Sequence, residues 1–275
     1  MNLRTLSYVA TLLVAGACAS KAQEEPAMRE WTFEAAYTKA AVSGEGAFSW
    51  SKGDGIAVWD SQSGGFVTFT SATGKGKFRA VAPANAHFTE AAFYPSGIAE
   101  STGTVALPSS YASPEASAAG FPMYAQVEEN TEILSFRHLG ALVQLTLTNV
   151  PAGAISLVLS SPNVSLSGSF DMSGSPSEIQ AAASGSGAVR VSFPETVGGE
   201  NIVVTVPVPV GSYPLSIALE SPSNTLFSLV GSENINFQRA HLYKPAPIMA
   251  GDIPAVPFDA DIVSFNLEGD DENWQ

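Results

Sequence analysis

The sequence predicts an all-β protein composed of antiparallel β-sandwich domains, and three observations lead to this prediction. Apolar and polar residues alternate with a period of two in one segment after another between Trp31 and Leu242, a pattern typical of half-buried antiparallel strands. Gly, Pro, Ser and Asn separate these segments at the spacing expected of sandwiches. No segment keeps a helical period for three turns.

The individual strands and turns follow from the same pattern. Alternation is clearest in residues 31–38, 143–148, 188–193 and 215–220. Glycine-rich turns are predicted at residues 53–55, 63–65 and 198–199, because glycine adopts the backbone angles that tight turns require. The exception to the β pattern is a short helix predicted near residues 114–119.

One strand carries a signal for its position in a sheet. Pro207 and Pro209 alternate in the run TVPVPVG, so their missing N–H groups lie on one side of the strand. Because proline cannot donate a ladder hydrogen bond, it is tolerated at a sheet edge and not at the centre. We therefore predict an edge strand here, protected against further pairing.

The chain is long enough for two domains. A looser stretch at residues 107–130 contains three prolines, and strong patterning resumes at Ile133. We place the boundary near Thr131, which gives an N-terminal sandwich over residues 31–130 and a C-terminal sandwich over residues 131–249. Residues 250–275 form a tail beyond the second domain.

The N-terminus predicts a lipoprotein signal peptide over residues 1–17. Its apolar run, residues 6–17, is too short to span a bilayer. Cys18, the only cysteine, follows Ala15-Gly16-Ala17, as in a bacterial lipobox, where the thiol takes a diacylglycerol. A single cysteine cannot form an internal disulfide, which favours lipidation and lasting membrane attachment. The alternative is ordinary cleavage at a small-x-small site.

Residues 18–30 are predicted to be a tether. The run KAQEEP places an acidic pair a few residues after Cys18 and resembles the export signal of Bacteroidetes surface lipoproteins. This predicts a lipoprotein of the cell outer membrane that is exposed at the surface. A solvated tether without an export role is the alternative.

Composition and motifs argue against several classes of function. The net charge of −14 would repel phosphates, so nucleic acid is not expected as a partner. The three histidines, His87, His138 and His241, are isolated from one another, and no nucleophile elbow, zinc-protease motif or phosphate loop is present. We expect no enzymatic activity, no cofactor and no metal site, and a structural role for His138.

Six segments together resemble the fimbrillin family of Bacteroidetes. They are WSKGDGIAVWD, FYPSG, LSFRHLGALVQLTLTNVP, LSGSFDM, VTVPVPVGSYPLSIAL and RAHLYKPAPI, in an order that covers nearly all of residues 31–249. The resemblance implies two tandem transthyretin-like antiparallel Greek-key β-sandwich domains. It also implies export as a lipoprotein, assembly with like or related subunits into fimbriae, and a role in cell adhesion.

The resemblance also implies an assembly mechanism by β-strand addition. In the resembled proteins a trypsin-like protease removes the N-terminal strand, and a strand from the next subunit fills the groove. The removable strand here would be residues 31–37. Lys39 is the first basic residue after it, where the family often has Arg, whereas cleavage at Arg29 would free the tether and the lipid but not the strand.

The C-terminal tail contains candidate donor strands in two phases. The first phase contains Val256, Phe258 and Ile262, and the second contains Val263, Phe265 and Leu267. The phase changes between Ile262 and Val263, which predicts two short strands or a bulge. The tail could fill the groove of a neighbouring subunit or fold back on its own domain, and the sequence leaves both open.

A second class of function is a monomeric surface lipoprotein that binds a glycan or a host protein. Loops of β-sandwiches support such sites, and a fold does not fix a function. Trp50 and Trp59 could form a platform for a sugar, although a tryptophan in a strand pattern more often belongs to the core. The tail discriminates between the two classes, because polymer assembly needs a free donor.

Overall fold

The computed structural model describes residues 26–36, 49–173, 178–180, 187–251 and 263–266. The prediction of an all-β protein is confirmed. In the first half of the chain the strands are β1 (Met28–Ala36), β2 (Gly55–Asp60), β3 (Gly65–Ser71), β4 (Lys77–Pro83), β5 (Phe88–Tyr94), β6 (Ala99–Ser101), β7 (Thr104–Leu107), β8 (Ser110–Tyr111), β9 (Met123–Val127), β10 (Ile133–Ser135) and β11 (Arg137–His138).

The second half continues the series with β12 (Ala141–Thr148), β13 (Ala154–Ser160), β14 (Gly168–Ser173), β15 (Glu178–Ile179), β16 (Val189–Val197), β17 (Ile202–Val208), β18 (Gly211–Tyr213), β19 (Ser216–Glu220), β20 (Thr225–Leu229), β21 (Ile235–Phe237), β22 (His241–Lys244), β23 (Ile248–Met249) and β24 (Val263–Asn266). The helical elements are a 3₁₀ turn at Ser96–Ile98 and the helix α1 at Pro114–Ala119.

The helix α1 has the bounds that the sequence predicts. The Ser113 side chain accepts a hydrogen bond of 3.2 Å from the backbone N–H of Ala116, and Pro114 occupies the first helical turn. A serine cap followed by proline satisfies and pre-organises the helix N-terminus. α1 packs against β17.

The first sheet is rolled so that its two edges meet. Its eight strands follow the order β10-β1-β4-β3-β2-β5-β9-β11, and the terminal strands β10 and β11 are separated in the chain by Phe136 alone. β10 also contacts β9. The interior contains an aromatic-rich core that includes Phe33, Phe69, Phe78 and Phe88. The N-terminal strand β1 therefore closes a nearly continuous wall.

Two five-stranded sheets enclose a second core. The first contains β17-β12-β22-β24, with β23 also paired to β12, and the second has the order β20-β19-β13-β16-β8. Fully buried side chains from both sheets, including Leu145 of β12 and Leu157 of β13, belong to one cluster. β17 lies at the end of its sheet, so the edge position predicted from Pro207 and Pro209 is confirmed.

A smaller, four-stranded sheet connects the two halves of the chain. Its order is β15-β14-β7-β6, and residues 104–107 of β7 pair antiparallel with residues 168–171 of β14. β8 pairs in parallel with β16. The chain is thus interlaced across the boundary predicted near Thr131, because strands on both sides of it cross to the other half. β10 and β11, which follow Thr131, pair within the first sheet.

Candidate functional site

The candidate site is built around β1, a strand near the N-terminus that lies inside a sheet. Its residues 28–34 pair antiparallel with residues 83–77 of β4. On the other side, residues 34–36 pair in parallel with residues 133–135 of β10. The segment predicted to be removable, residues 31–37, thus lies within β1 except for Tyr37, which is outside the described residues.

The inward side chains of β1 fill an aromatic pocket. Phe33 is 4% exposed, and its ring centroid lies 5.0 Å from that of Phe69 and 5.8 Å from that of Phe88. Trp31 contacts Phe88 edge to face at 5.0 Å, and its Nε1 donates to the carbonyl of Pro83 at 3.2 Å. Edge-to-face contacts add to the free energy of area burial, so this row anchors β1.

The outward side chains of β1 form two ion pairs with β4. Glu34 Oε1 lies 3.1 Å from Lys77 Nζ, and Glu30 Oε1 lies 3.3 Å from Arg79 Nη1. All four side chains are about half exposed, so each pair contributes less than about 1 kcal/mol. The register places Lys77 directly opposite Glu34, whereas Arg79 is opposite Thr32 and reaches Glu30 diagonally.

Of the two processing candidates, only Arg29 lies among the described residues. It is exposed, its backbone is paired with Ala82 of β4, and its guanidinium carbon lies 3.3 Å from the centroid of the Trp31 ring. Arg29 is therefore inside the strand and not in the tether before it. Lys39 lies outside the described residues, as does the lipidation candidate Cys18.

The tail returns to its own domain over a short segment. β24 pairs antiparallel with β22, with Val263 opposite Lys244 and Phe265 opposite Leu242. Two donor candidates of the second phase are therefore in a strand at the end of a sheet. Val256, Phe258, Ile262 and Leu267 lie outside the described residues.

The two tryptophans considered as a sugar platform pack against other aromatic rings. Trp50 lies 5.0 Å from Phe78, 5.1 Å from Tyr94 and 5.7 Å from Phe136, each edge to face. Trp59 contacts Phe66 at 5.1 Å. Both are partly buried, and the arrangement is typical of core tryptophans.

His138 occupies a buried position at the junction between the two halves. It is 1% exposed, and its ring stacks on Phe121 with centroids 4.1 Å apart. Burial, helped by the nearby positive charge of Arg239, lowers the pKa of the His138 imidazole from 6.5 to about 3. The imidazole is therefore neutral at physiological pH, as a structural role requires.

Asp60 is a buried structural residue that no sequence motif marks. It is 2% exposed, and its Oδ1 accepts hydrogen bonds from the backbone N–H of His87 at 2.7 Å and of Gln62 at 3.1 Å. Burial raises the pKa of this carboxyl, but hydrogen bonds from His87, Ser63 and Gln62 outweigh burial and leave the pKa below its usual value. Asp60 thus ties two loops together.

No group of three or more His, Cys, Asp or Glu side chains within the described ranges could hold a metal ion. Among these residues, too, no helix has the length and apolar character needed to cross a bilayer.

Comparisons with known proteins give matches in structure only. No protein-family model and no curated protein sequence matches the chain. A "putative cell adhesion protein" from Bacteroides uniformis aligns with a TM-score of 0.50 and 13% identity, covering 86% of this chain and 98% of that one. At this identity the likeness concerns the fold.

Two further structures align less closely. A protein of the same description from Bacteroides ovatus has a TM-score of 0.49 and 14% identity, with 79% of this chain and 91% of that one covered. The tip fimbrial protein Mfa3 from Porphyromonas gingivalis, with a C-terminal truncation, has a TM-score of 0.32 and 12% identity, with 80% and 94% covered. The structure that aligns with a TM-score of 0.50 bears the name of a putative cell adhesion protein of Bacteroides, in agreement with the Bacteroidetes resemblance drawn from the sequence.

Proposed function

We propose that this chain is a surface-exposed, lipid-anchored, fimbrillin-like subunit that assembles with like or related subunits into fimbriae and serves cell adhesion. In this proposal a lipid on Cys18 attaches the subunit to the outer membrane, and its two halves are tandem transthyretin-like Greek-key sandwiches. The name of the similar structure from Bacteroides uniformis supports the adhesive role, and the fimbrial role rests on the resemblance drawn from the sequence. Host proteins or glycans are the proposed targets of adhesion.

The position of β1 is the observation that carries the proposal. A strand near the N-terminus lies between two hydrogen-bonded neighbours, β4 and β10. Its removal would leave unpaired backbone groups on both neighbours and would open the pocket of Phe69 and Phe88 that Phe33 now fills. Unpaired edges flanking an apolar groove are what β-strand addition requires. A strand from a neighbouring subunit would restore both the hydrogen bonds and the core.

Cleavage after Lys39 suits this mechanism better than cleavage after Arg29. A protease binds its substrate as an extended segment with free backbone groups, whereas the backbone at Arg29 is paired with β4. Cleavage at Arg29 would also leave Trp31 and Phe33 in the pocket. We therefore propose Lys39 as the processing site that frees the whole strand.

One observation favours the second candidate function, a monomeric surface lipoprotein that binds a glycan or a host protein. β24 occupies the edge of its own domain, so part of the tail is engaged within the subunit. A tail that never leaves this edge would not act as a donor.

Limited trypsin digestion tests the proposal against this alternative. The soluble form beginning after Cys18 is digested, the cut site is read by mass spectrometry, and the product is run unboiled on an SDS gel. A cut at Lys39 followed by an SDS-resistant ladder supports strand addition. A resistant monomer without a ladder contradicts it and leaves the monomeric lipoprotein.

A further inference from the structure

We propose that residues 256–260 of one copy replace residues 31–35 of β1 in a second copy, in a single register. In this register Val256 takes the place of Trp31, Phe258 that of Phe33, Asp259 that of Glu34 and Ala260 that of Ala35. The inference rests on the proposed strand addition and specifies the donor phase, the register and a like subunit as the partner.

The structure shows what a replacement strand must supply. Inward, Phe33 is buried and fills the aromatic pocket, whereas Trp31 and Ala35 are partly buried against the same core. Outward, an acidic group is favoured opposite Lys77.

The tail contains this pattern in the same chain direction. The β1 segment reads Trp-Thr-Phe-Glu-Ala, and residues 256–260 read Val-Pro-Phe-Asp-Ala. The phenylalanine, the acidic residue and the alanine occur at the same spacing. Asp259 would therefore face Lys77 of the second copy, as Glu34 does within one subunit.

Proline at the position of Thr32 is compatible with the ladder on both sides. The N–H of Glu34 donates to Glu132 on the β10 side at 2.7 Å, and the N–H of Ala35 donates to Gly76 on the β4 side at 2.7 Å. Successive N–H groups alternate in direction, so the N–H of Thr32 faces the β10 side. The described pairing with β10 begins only at Glu34, so Pro257 would forfeit no hydrogen bond of that pairing.

The second phase of the tail fits less well. Aligning Phe265 with Phe33 places Leu267 at the position of Ala35 and Asn266 opposite Lys77. An asparagine opposite Lys77 gives up the ion pair, and a leucine takes the place of an alanine at a partly buried position. A shift of the first phase by two residues places Ala260 in the site of Phe33, which leaves the pocket empty.

In this proposal, the four residues of β24 do not enter the second copy but hold the tail on its own subunit. They hold the tail on β22 at a sheet edge, and a short edge strand opens at low cost compared with a core strand. Its release would give residues 256–260 the freedom to reach a second copy.

Engineered disulfides test the register directly. The soluble form beginning after Cys18 contains no native thiol, so Lys77→Cys with Asp259→Cys introduces one pair. Direct cross-strand partners bring their Cβ atoms to about 4.5–5.5 Å, close to disulfide geometry. Lys77→Cys with Asn266→Cys is the matched control for the other phase. After trypsin treatment and mild oxidation, we expect a boiled, non-reduced ladder from the first pair and not from the second.

The outcomes separate this inference from the proposed function. An unboiled ladder of the unmodified protein, with a covalent ladder only from the Asn266 pair or from neither pair, overturns the register while strand addition stands. A fast-migrating cross-linked monomer from the Asp259 pair shows that the tail fills the groove of its own subunit. This result would overturn the claim that the donor strand comes from a second copy. Absence of any ladder in the unmodified protein removes the premise and the inference with it.

Side-chain variants give a second readout that needs no disulfide. Phe258→Ala should raise the subunit concentration for half-maximal ladder formation by about a hundred-fold or more, because a buried phenylalanine is truncated, whereas Phe265→Ala should not raise it. Asp259→Lys should weaken assembly by about two- to ten-fold, and Lys77→Glu in the same chain should restore it. Equal effects of Phe258→Ala and Phe265→Ala, or no restoration, would overturn the register.

Discussion

His138 should make the folded chain lose stability as the pH falls below about 6.5. Its imidazole is buried against Phe121, and its pKa falls from 6.5 in the unfolded chain to about 3 in the folded one. Between these values the unfolded chain binds a proton that the folded chain does not. Stability from this group is therefore fully present above pH 6.5 and declines as the pH falls towards 3.

The two pKa values give the size of the effect. At pH 5 the unfolded imidazole is almost fully protonated and the folded one almost fully neutral, which corresponds to a loss of about 2 kcal/mol relative to neutral pH. This loss of unfolding free energy at pH 5 is set by protonation of the unfolded chain, because the folded imidazole is neutral at that pH.

Urea denaturation at pH 7.5, 6 and 5 measures the contribution of His138 to the free energy of unfolding. The unfolding free energy of His138→Gln should fall by about 2 kcal/mol less between pH 7.5 and 5 than that of the unmodified protein, because other titrating groups cancel in the difference. His87→Gln is the matched control, since the His87 side chain is about half exposed, and it is measured at the same three pH values. Equal pH dependence of His138→Gln and the unmodified protein would refute the reasoning.

Three further substitutions probe the elements that position the site, each by urea denaturation at pH 7. Phe33→Ala should lower the unfolding free energy by about 3 kcal/mol or more, because it empties the pocket under β1; a change below 1 kcal/mol would mean that β1 contributes little. Asp60→Ala should cost about 2 kcal/mol or more by leaving the N–H of His87 without its acceptor, whereas a neutral effect would show that water replaces the carboxylate. Ser113→Ala should cost about 1 kcal/mol by removing the cap on the N–H of Ala116, and no loss would argue against the cap.

Local features of the fold could be predicted from the sequence because neighbouring residues determine them. The helix after Ser113 follows from a cap and a proline at adjacent positions, and the edge position of β17 follows from the missing N–H groups of Pro207 and Pro209. Alternation likewise predicts strands such as β19, since one of its faces is buried and the other is partly exposed.

The pairing of distant strands could not be predicted in the same way. β10 is a three-residue strand, too short for alternation to reveal, yet it closes the first sheet beside β1. The pairing of β7 with β14 interlaces the two halves, and neither strand carries a sequence signal for its partner. Register between segments far apart in the chain depends on tertiary packing, which a single sequence does not display.

In the candidate site, too, local features could be predicted from the sequence and long-range contacts could not. Alternation indicates the strand from Trp31, but the ion pairs of Glu30 and Glu34 depend on the register with β4. That register is also what makes the likeness between β1 and residues 256–260 visible, because it distinguishes positions that face the pocket from positions that face Lys77. Lys39 and Cys18 remain predictions of the sequence.

The most direct test of strand exchange between subunits is a mixing experiment with a chain that can accept a strand but cannot donate one. A variant ending at Gly251 retains β1 and its groove but lacks the tail. After trypsin treatment, this variant alone should give no SDS-resistant ladder, and added in increasing amounts to the full-length chain it should shorten the ladder by capping it. A ladder formed by the truncated variant alone, or a full-length ladder unchanged by its presence, would contradict the tail as donor and the β1 groove as acceptor.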